Sequence, residues 1–184
     1  IEADHVYIDM NAVLHEVLEG IGGSPSEAEF FSGLCFRLDQ ILQQVEARVS
    51  VFFAVDGAAA CAKVSTQRQR RRAKSTSVRS QRKGQKRARN SDGPSFTANM
   101  LTPGVPAMSR VSACLEEYCK TRLSSSGEDL SWAEGLRVTV SGASCHGEGE
   151  HKIMSAVRSN SVGPDDTSHV IFGNDSDLLL LPLG

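Results

Sequence analysis

Short apolar runs alternate along this chain with stretches in which apolar residues recur three and four positions apart, the spacings of strand and helix respectively. His5-Val6-Tyr7-Ile8-Asp9 is rich in β-formers and ends on a carboxylate; Asn11 to Leu18 follows with helical apolar spacing. Gly20 to Pro25 interrupts the pattern with turn formers. Ser26, with Glu29 three residues on, forms a capping box, which predicts a helix running to about Val49 with Phe30, Leu34, Leu38, Ile41, Leu42 and Val45 on one face. Val51-Phe52-Phe53-Ala54-Val55-Asp56-Gly57 is a continuous apolar run closed by a turn, the form of a strand covered on both faces. It too ends on an aspartate.

Beyond a long polar stretch, Ser91-Asp92-Gly93-Pro94 marks a loop, and Thr102-Pro103-Gly104-Val105-Pro106 leads into a helix expected from about Ser109 to Arg122. Val111, Leu115, Tyr118 and Cys119 share one side of it, and Ser124-Ser125-Ser126-Gly127 reads as a linker. Leu136 to Ser141 predicts a third strand, Glu148 to Val157 a helix, and His169 to Gly173 a fourth strand, followed by Asn174-Asp175-Ser176-Asp177. Strands alternating with helices predict an α/β fold: a mainly parallel central sheet flanked by helices, joined by right-handed crossovers, with its site at the carboxyl ends of the strands.

Composition narrows the class. With 184 residues, 40% of them hydrophobic, the chain fits one ordinary globular domain. No apolar run approaches the roughly 20 residues of a membrane span. The five cysteines are odd in number and form no C-x-x-C pair, which argues against a disulfide framework or a zinc site and favours a reducing, intracellular compartment, nuclear or cytoplasmic. The apolar run Leu178 to Leu183 stops abruptly, as expected of a piece of a longer domain.

The net charge of −2 conceals a strong asymmetry. Lys63 to Arg89 holds twelve basic residues and no acid, a field suited to holding phosphates. A solvated tail or an import signal at Arg82 to Arg89 would have the same composition. Acids collect elsewhere, at four strand ends: Asp9, Asp56, the pair Glu148 and Glu150, and the pair Asp175 and Asp177. Strand ends of an open parallel sheet converge on one crevice, where six carboxylates would repel one another unless cations neutralised them. Hard oxygen ligands select Mg²⁺ or Mn²⁺, and two ions about 3.5–4 Å apart form the usual arrangement for hydrolysing phosphodiesters. Taken singly, each acid has a structural reading, since an Asp after a strand is a common helix cap and Asp56-Gly57 a common turn. No G-x-G-x-x-G or Walker A loop follows the first strand, which removes the dinucleotide and P-loop alternatives.

These motifs, in this order, resemble the XRN family of 5′→3′ exoribonucleases. Tyr7-Ile8-Asp9-Met10-Asn11 to His15 is similar to the family's first acidic motif. Val55-Asp56-Gly57, leading through Ala62-Lys63 to Gln67-Arg68-Gln69-Arg70-Arg71, resembles its second. Asn99, Thr102-Pro103-Gly104 to Pro106 and Met108 resemble its proline-glycine segment, and Gly147-Glu148-Gly149-Glu150-His151-Lys152-Ile153-Met154 its most distinctive run; Gly173 to Leu178 resembles the last. Residues 1–184 would then be part of an XRN N-terminal nuclease domain with a PIN/flap-nuclease-like fold, and about 63–89 a phosphate-binding helix and channel segment.

The resemblance implies that Asp9, Asp56, Glu148, Glu150, Asp175 and Asp177 are metal-site acids. Lys63, Gln67, Arg70 and Arg71, which fall on one helical face at spacings of four, three and one, would hold the 5′-monophosphate of single-stranded RNA. His15 would stack on the entering base or be a packing residue, and Lys152 would steer phosphate or be a solvated charge. The family usually has Pro and Arg in place of Ala60 and Cys61, Thr and Phe in place of Val105 and Ala107, Pro in place of His146 and Ala in place of Ser176; none of these is a metal-site acid. The activity expected is metal-dependent release of mononucleotides from 5′-monophosphorylated RNA. A catalytically impaired RNA-binding or scaffold protein and a flap endonuclease are the alternatives.

Overall fold

The computed structural model describes residues 1–58, 95–124, 132, 135–160, 167–174 and 178. Strand β1 (Glu2–Asp9) passes directly into helix α1 (Met10–Ile21), because the Asp9 carboxylate accepts the Asn11 backbone N–H at 3.0 Å and caps the first turn. Gly22 and Gly23, at φ 69° and 66°, end that helix in a conformation that side chains disfavour. Helix α2 (Glu27–Gln44) starts at the predicted capping box: the Glu29 N–H donates to Ser26 Oγ at 3.2 Å, and the Ser26 N–H to Glu29 Oε2 at 2.7 Å.

Helix α2 stops short of the expected Val49. Val45 is already extended, and strand β2 (Glu46–Ala54) follows, five residues earlier than its apolar run begins. Pairing outweighs spacing here, since Glu46 and Ala47 lie in register with Glu2 and Ala3 of β1 and leave their side chains partly in solvent. The 3₁₀ turn Ala98–Met100 precedes helix α3 (Pro106–Ser124), whose first residue is a proline that needs no amide partner there. Strand β3 (Arg137–Ser141), helix α4 (Gly149–Asn160) and strand β4 (His169–Phe172) complete the described elements.

The sheet has the order β3-β2-β1-β4 and every pair is parallel. Side chains alternate across it. Val6, Ile8, Val51 and Phe53 face α1, α2 and α3 in the larger core, with Phe30, Leu34, Leu38 and Leu115 wholly buried. Tyr7 and Ala54 face the other way, against Ile153 of α4 and Leu178. Phe96 anchors the segment before α3 by stacking on Phe30, with ring centroids 4.0 Å apart, while its N–H donates to the Pro25 carbonyl at 2.7 Å. This is the helix-flanked parallel sheet that the alternation of patterns predicts.

The order β3-β2-β1-β4 also means that the chain builds outward in one direction from β1 and then returns to its other side. Between β1 and β4 the connections diverge to opposite faces, opening the crevice in which such sheets place ligands.

Candidate metal centre

Four of the acids gather beside the divergence point. Asp9 closes β1 and is buried; Asp56 lies two residues past β2; Glu148 and Glu150 bracket Gly149, the first residue of α4. Backbone bonds extend beyond the strands and fix this meeting. Val55 N–H donates to Ser141 O at 2.9 Å, Gly57 N–H to Gly147 O at 2.9 Å, and Gly147 N–H to Ala58 O at 3.2 Å, so the loop after β3 runs alongside the loop after β2. Only glycine fits at Gly57, where a Cβ would fall 1.8 Å from the Cys145 carbonyl oxygen.

Gly149 is the hub of the arrangement. Its N–H donates to Asp56 Oδ1 at 2.7 Å, and a Cβ added to it would lie 2.9 Å from Asp9 Oδ1 and 3.3 Å from Asp56 Oδ1. Two carboxylates from neighbouring strands thus converge on one bare Cα, with a glutamate on either side. Gly173, just past β4, has the same property, since a Cβ there would meet Asp9 Cβ at 3.2 Å and Leu178 at 2.3 Å.

The electrostatics here reflect burial first and the neighbouring anion after it. Burial raises the Asp56 carboxyl above its ordinary value; the Gly149 N–H opposes this, the Glu148 charge adds to it, and Lys152 and His15 pull back. A divalent cation would relieve this repulsion, and a set of hard oxygens is the donor chemistry for one. His151 adds an imidazole at the rim, its Nδ1 3.8 Å from Glu148 Oε2 and 3.6 Å from Glu150 Oε1. Ligand atoms of these three residues lie within 4.8 Å of one another.

His15 lines a cleft of about 590 Å³ together with Asp9, Asn11, Ala12, Glu16, Glu19 and Asn174, which opens the centre to solvent between α1 and the end of β4. Glu16, Glu19 and Asn174 were not singled out from the sequence. The two glutamates' signal was the stripe 12, 15, 16, 19 on one side of α1, which its polar character hid among ordinary surface positions.

Lys152 departs from both of its expected roles. It is buried, and its ammonium donates to Val55 O at 2.7 Å and Gly142 O at 3.0 Å, tying the ends of β2 and β3 together beneath the acids. It is neither a solvated charge nor positioned to steer phosphate. Asp175 and Asp177, the basic residues Lys63, Gln67, Arg70 and Arg71 with the whole stretch 63–89, the loop at Ser91 to Pro94 and the linker at 125–127 lie outside the described residues.

A family model described as the XRN 5′-3′ exonuclease N-terminus matches residues 1–184. The chain belongs to the XRN family. It is 32% identical to 5′-3′ exoribonuclease 1 of Saccharomyces cerevisiae, an alignment covering 99% of this chain and 12% of the relative. It is 34% identical to 5′-3′ exoribonuclease 2 of Arabidopsis thaliana, over 99% of this chain and 19% of that protein. It is 32% identical to the 5′-3′ exoribonuclease 2 homolog of Drosophila melanogaster, over 100% of this chain and 22% of that one. The chain therefore spans between 12% and 22% of the length of these XRN relatives.

Proposed function

We propose that the protein is a metal-dependent 5′→3′ exoribonuclease that degrades RNA bearing a 5′-monophosphate to 5′-mononucleotides. The observation that carries this reading is the meeting of Asp9 and Asp56 at Gly149, between Glu148 and Glu150, in the crevice of the parallel sheet. Family membership supports the reaction class, since the matched relatives are named 5′-3′ exoribonucleases.

Asp9, Asp56, Glu148 and Glu150, with Asp175 and Asp177, are assigned to hold two Mg²⁺ or Mn²⁺ ions. Such a pair, when bound, supplies an activated water and neutralises the leaving oxygen of an in-line displacement. The carboxylates would hold that pair, and the buried Lys152 ties together the ends of β2 and β3, after which Asp56 and Glu148 follow. Lys63, Gln67, Arg70 and Arg71 are assigned to the terminal phosphate, because guanidinium forks bind its oxygens in pairs, and a pocket closed around one phosphate would exclude a cap or triphosphate. His15, on the cleft wall, is assigned to stack on the first base.

The test is degradation of one linear RNA by the intact protein with Mg²⁺, comparing 5′-monophosphate, 5′-hydroxyl and 5′-triphosphate ends, beside an Asp175→Ala control. Mononucleotides released from the monophosphate alone, and lost in the variant, support the reading. RNA bound through chelation without release would mean a nuclease fold kept as an RNA-holding module. Preference for a branched DNA flap would mean a different nuclease class.

A further inference from the structure

Helices α2 and α3 lie side by side and run the same way. Glu27 at the start of α2 pairs with Arg110 near the start of α3, through Arg110 Nη2 at 3.2 Å; further along both, Asp39 accepts from Tyr118 Oη at 2.7 Å and from Arg122 Nη2 at 2.5 Å. Cys35 is four residues before Asp39, and Cys114 four residues before Tyr118. One helical turn back from a contact on two helices of the same direction is again a contact. The register thus sets the two thiols against each other, both free and both half-buried.

We propose that Cys35 and Cys114 are a redox-active thiol pair, converted by hydrogen peroxide into a reversible disulfide that joins α2 to α3. Cys35 is the attacking thiol. The bond donated by the Cys114 S–H favours its thiolate, burial and Asp39 oppose this, and Arg122 assists, leaving Cys35 below the ordinary thiol range. Cys114, as donor, is held above that range.

The Cys35 thiolate attacks one peroxide oxygen, breaking the O–O bond and releasing hydroxide, which leaves as water once protonated; Cys35 becomes a sulfenic acid. The Cys114 sulfur then attacks the Cys35 sulfur, forming the S–S bond, and the sulfenic hydroxyl departs with the Cys114 proton as a second water. Two thiols have given two electrons to one peroxide. Among the other described cysteines, Cys119 is buried and pushed up to about 12 by that burial, while Cys145 is exposed and serves as an internal control. The tie also reaches the acids: Ser112, two residues before Cys114, accepts the Ala143 N–H at 3.1 Å in the loop that leads to Glu148.

This inference does not depend on the nuclease reading. The intact protein is treated with limiting hydrogen peroxide, blocked with an alkylating reagent and digested without reductant for mass spectrometry. The expected product is a Cys35 peptide joined to a Cys114 peptide, lighter than their sum by two hydrogens and lost on adding dithiothreitol. In Cys114→Ser, dimedone should label Cys35; in Cys35→Ser, it should leave Cys114 unlabelled. Oxidation of Cys145 at peroxide levels that yield no Cys35–Cys114 peptide would overturn the proposal, as would an unlabelled Cys35 in the Cys114→Ser protein.

Discussion

Gly149 has no left-handed backbone requirement, so space alone decides what can stand there. A methyl group would press on Asp9 Oδ1 at 2.9 Å and displace it. Gly149→Ala should therefore leave the fold in place but weaken metal-dependent activity, by about 10–100-fold if the effect resembles the loss of a ligand-orienting contact; kinetics across a Mg²⁺ titration would check it. Asp56 gives a prediction with a definite sign. Its folded-state pKa is raised above the ordinary 3.8, so its charged form destabilises the metal-free fold as pH rises past that value. Metal-free Asp56→Asn should consequently unfold at a higher temperature than the parent at neutral pH, and lose most of the parent's thermal shift on adding Mg²⁺; a variant less stable than the parent without metal would contradict this. Lys152→Met should cost about 1–3 kcal/mol, because it leaves the buried Val55 carbonyl without a donor and Gly142 with only the Cys145 N–H, and denaturant midpoints would measure it. The places of Asp9 and Asp56 at strand ends were legible because each closes an apolar run. Lys152 was not, since a lysine at the start of a polar helix looks solvated until two distant strand ends supply its carbonyls.

Individual elements were most legible where their signal is local. Ser26 and Glu29 marked the start of α2, and Ser26→Ala should lower stability by about 1 kcal/mol, read from chemical denaturation. Element ends determined by pairing were hidden: β1 begins at Glu2 and β2 at Glu46, among polar residues that only a parallel neighbour holds extended. The same pairing buries His5, whose ring nitrogen lies 2.8 Å from Ser50 Oγ and which stacks on His169. Burial foremost, then the nearby His169 and Arg137, depresses its pKa below the ordinary 6.5, while Asp4 opposes them. The unfolded chain thus takes up this proton first as pH falls, and the stability His5 contributes is full above 6.5 and lost below it. Urea midpoints measured from pH 7.5 down to about pH 5.5 should fall, and His5→Gln should flatten that slope.

Across the whole molecule, alternation of patterns specified a parallel α/β sheet, but strand order was not written in any one segment. That β4 returns to the far side of β1, making the crevice, follows from which faces of the helices find cover, and His5 and His169 are neighbours only as a result. Among the described residues no helix is long and apolar enough to cross a membrane.

The return of β4 also governs how a new chain comes to be folded. Ser168, which bonds the Asp4 amide as β4 begins, is 164 residues later in the sequence. At synthesis rates of roughly 5–20 residues per second, one edge of the central strand waits bare for roughly ten to thirty seconds on the ribosome. During that interval it can recruit the wrong strand from the same chain or another, and a holding chaperone has its clearest task there. The cleft has no second wall until Asn174 arrives, so a half-made protein carries the first acids without the enclosure around them.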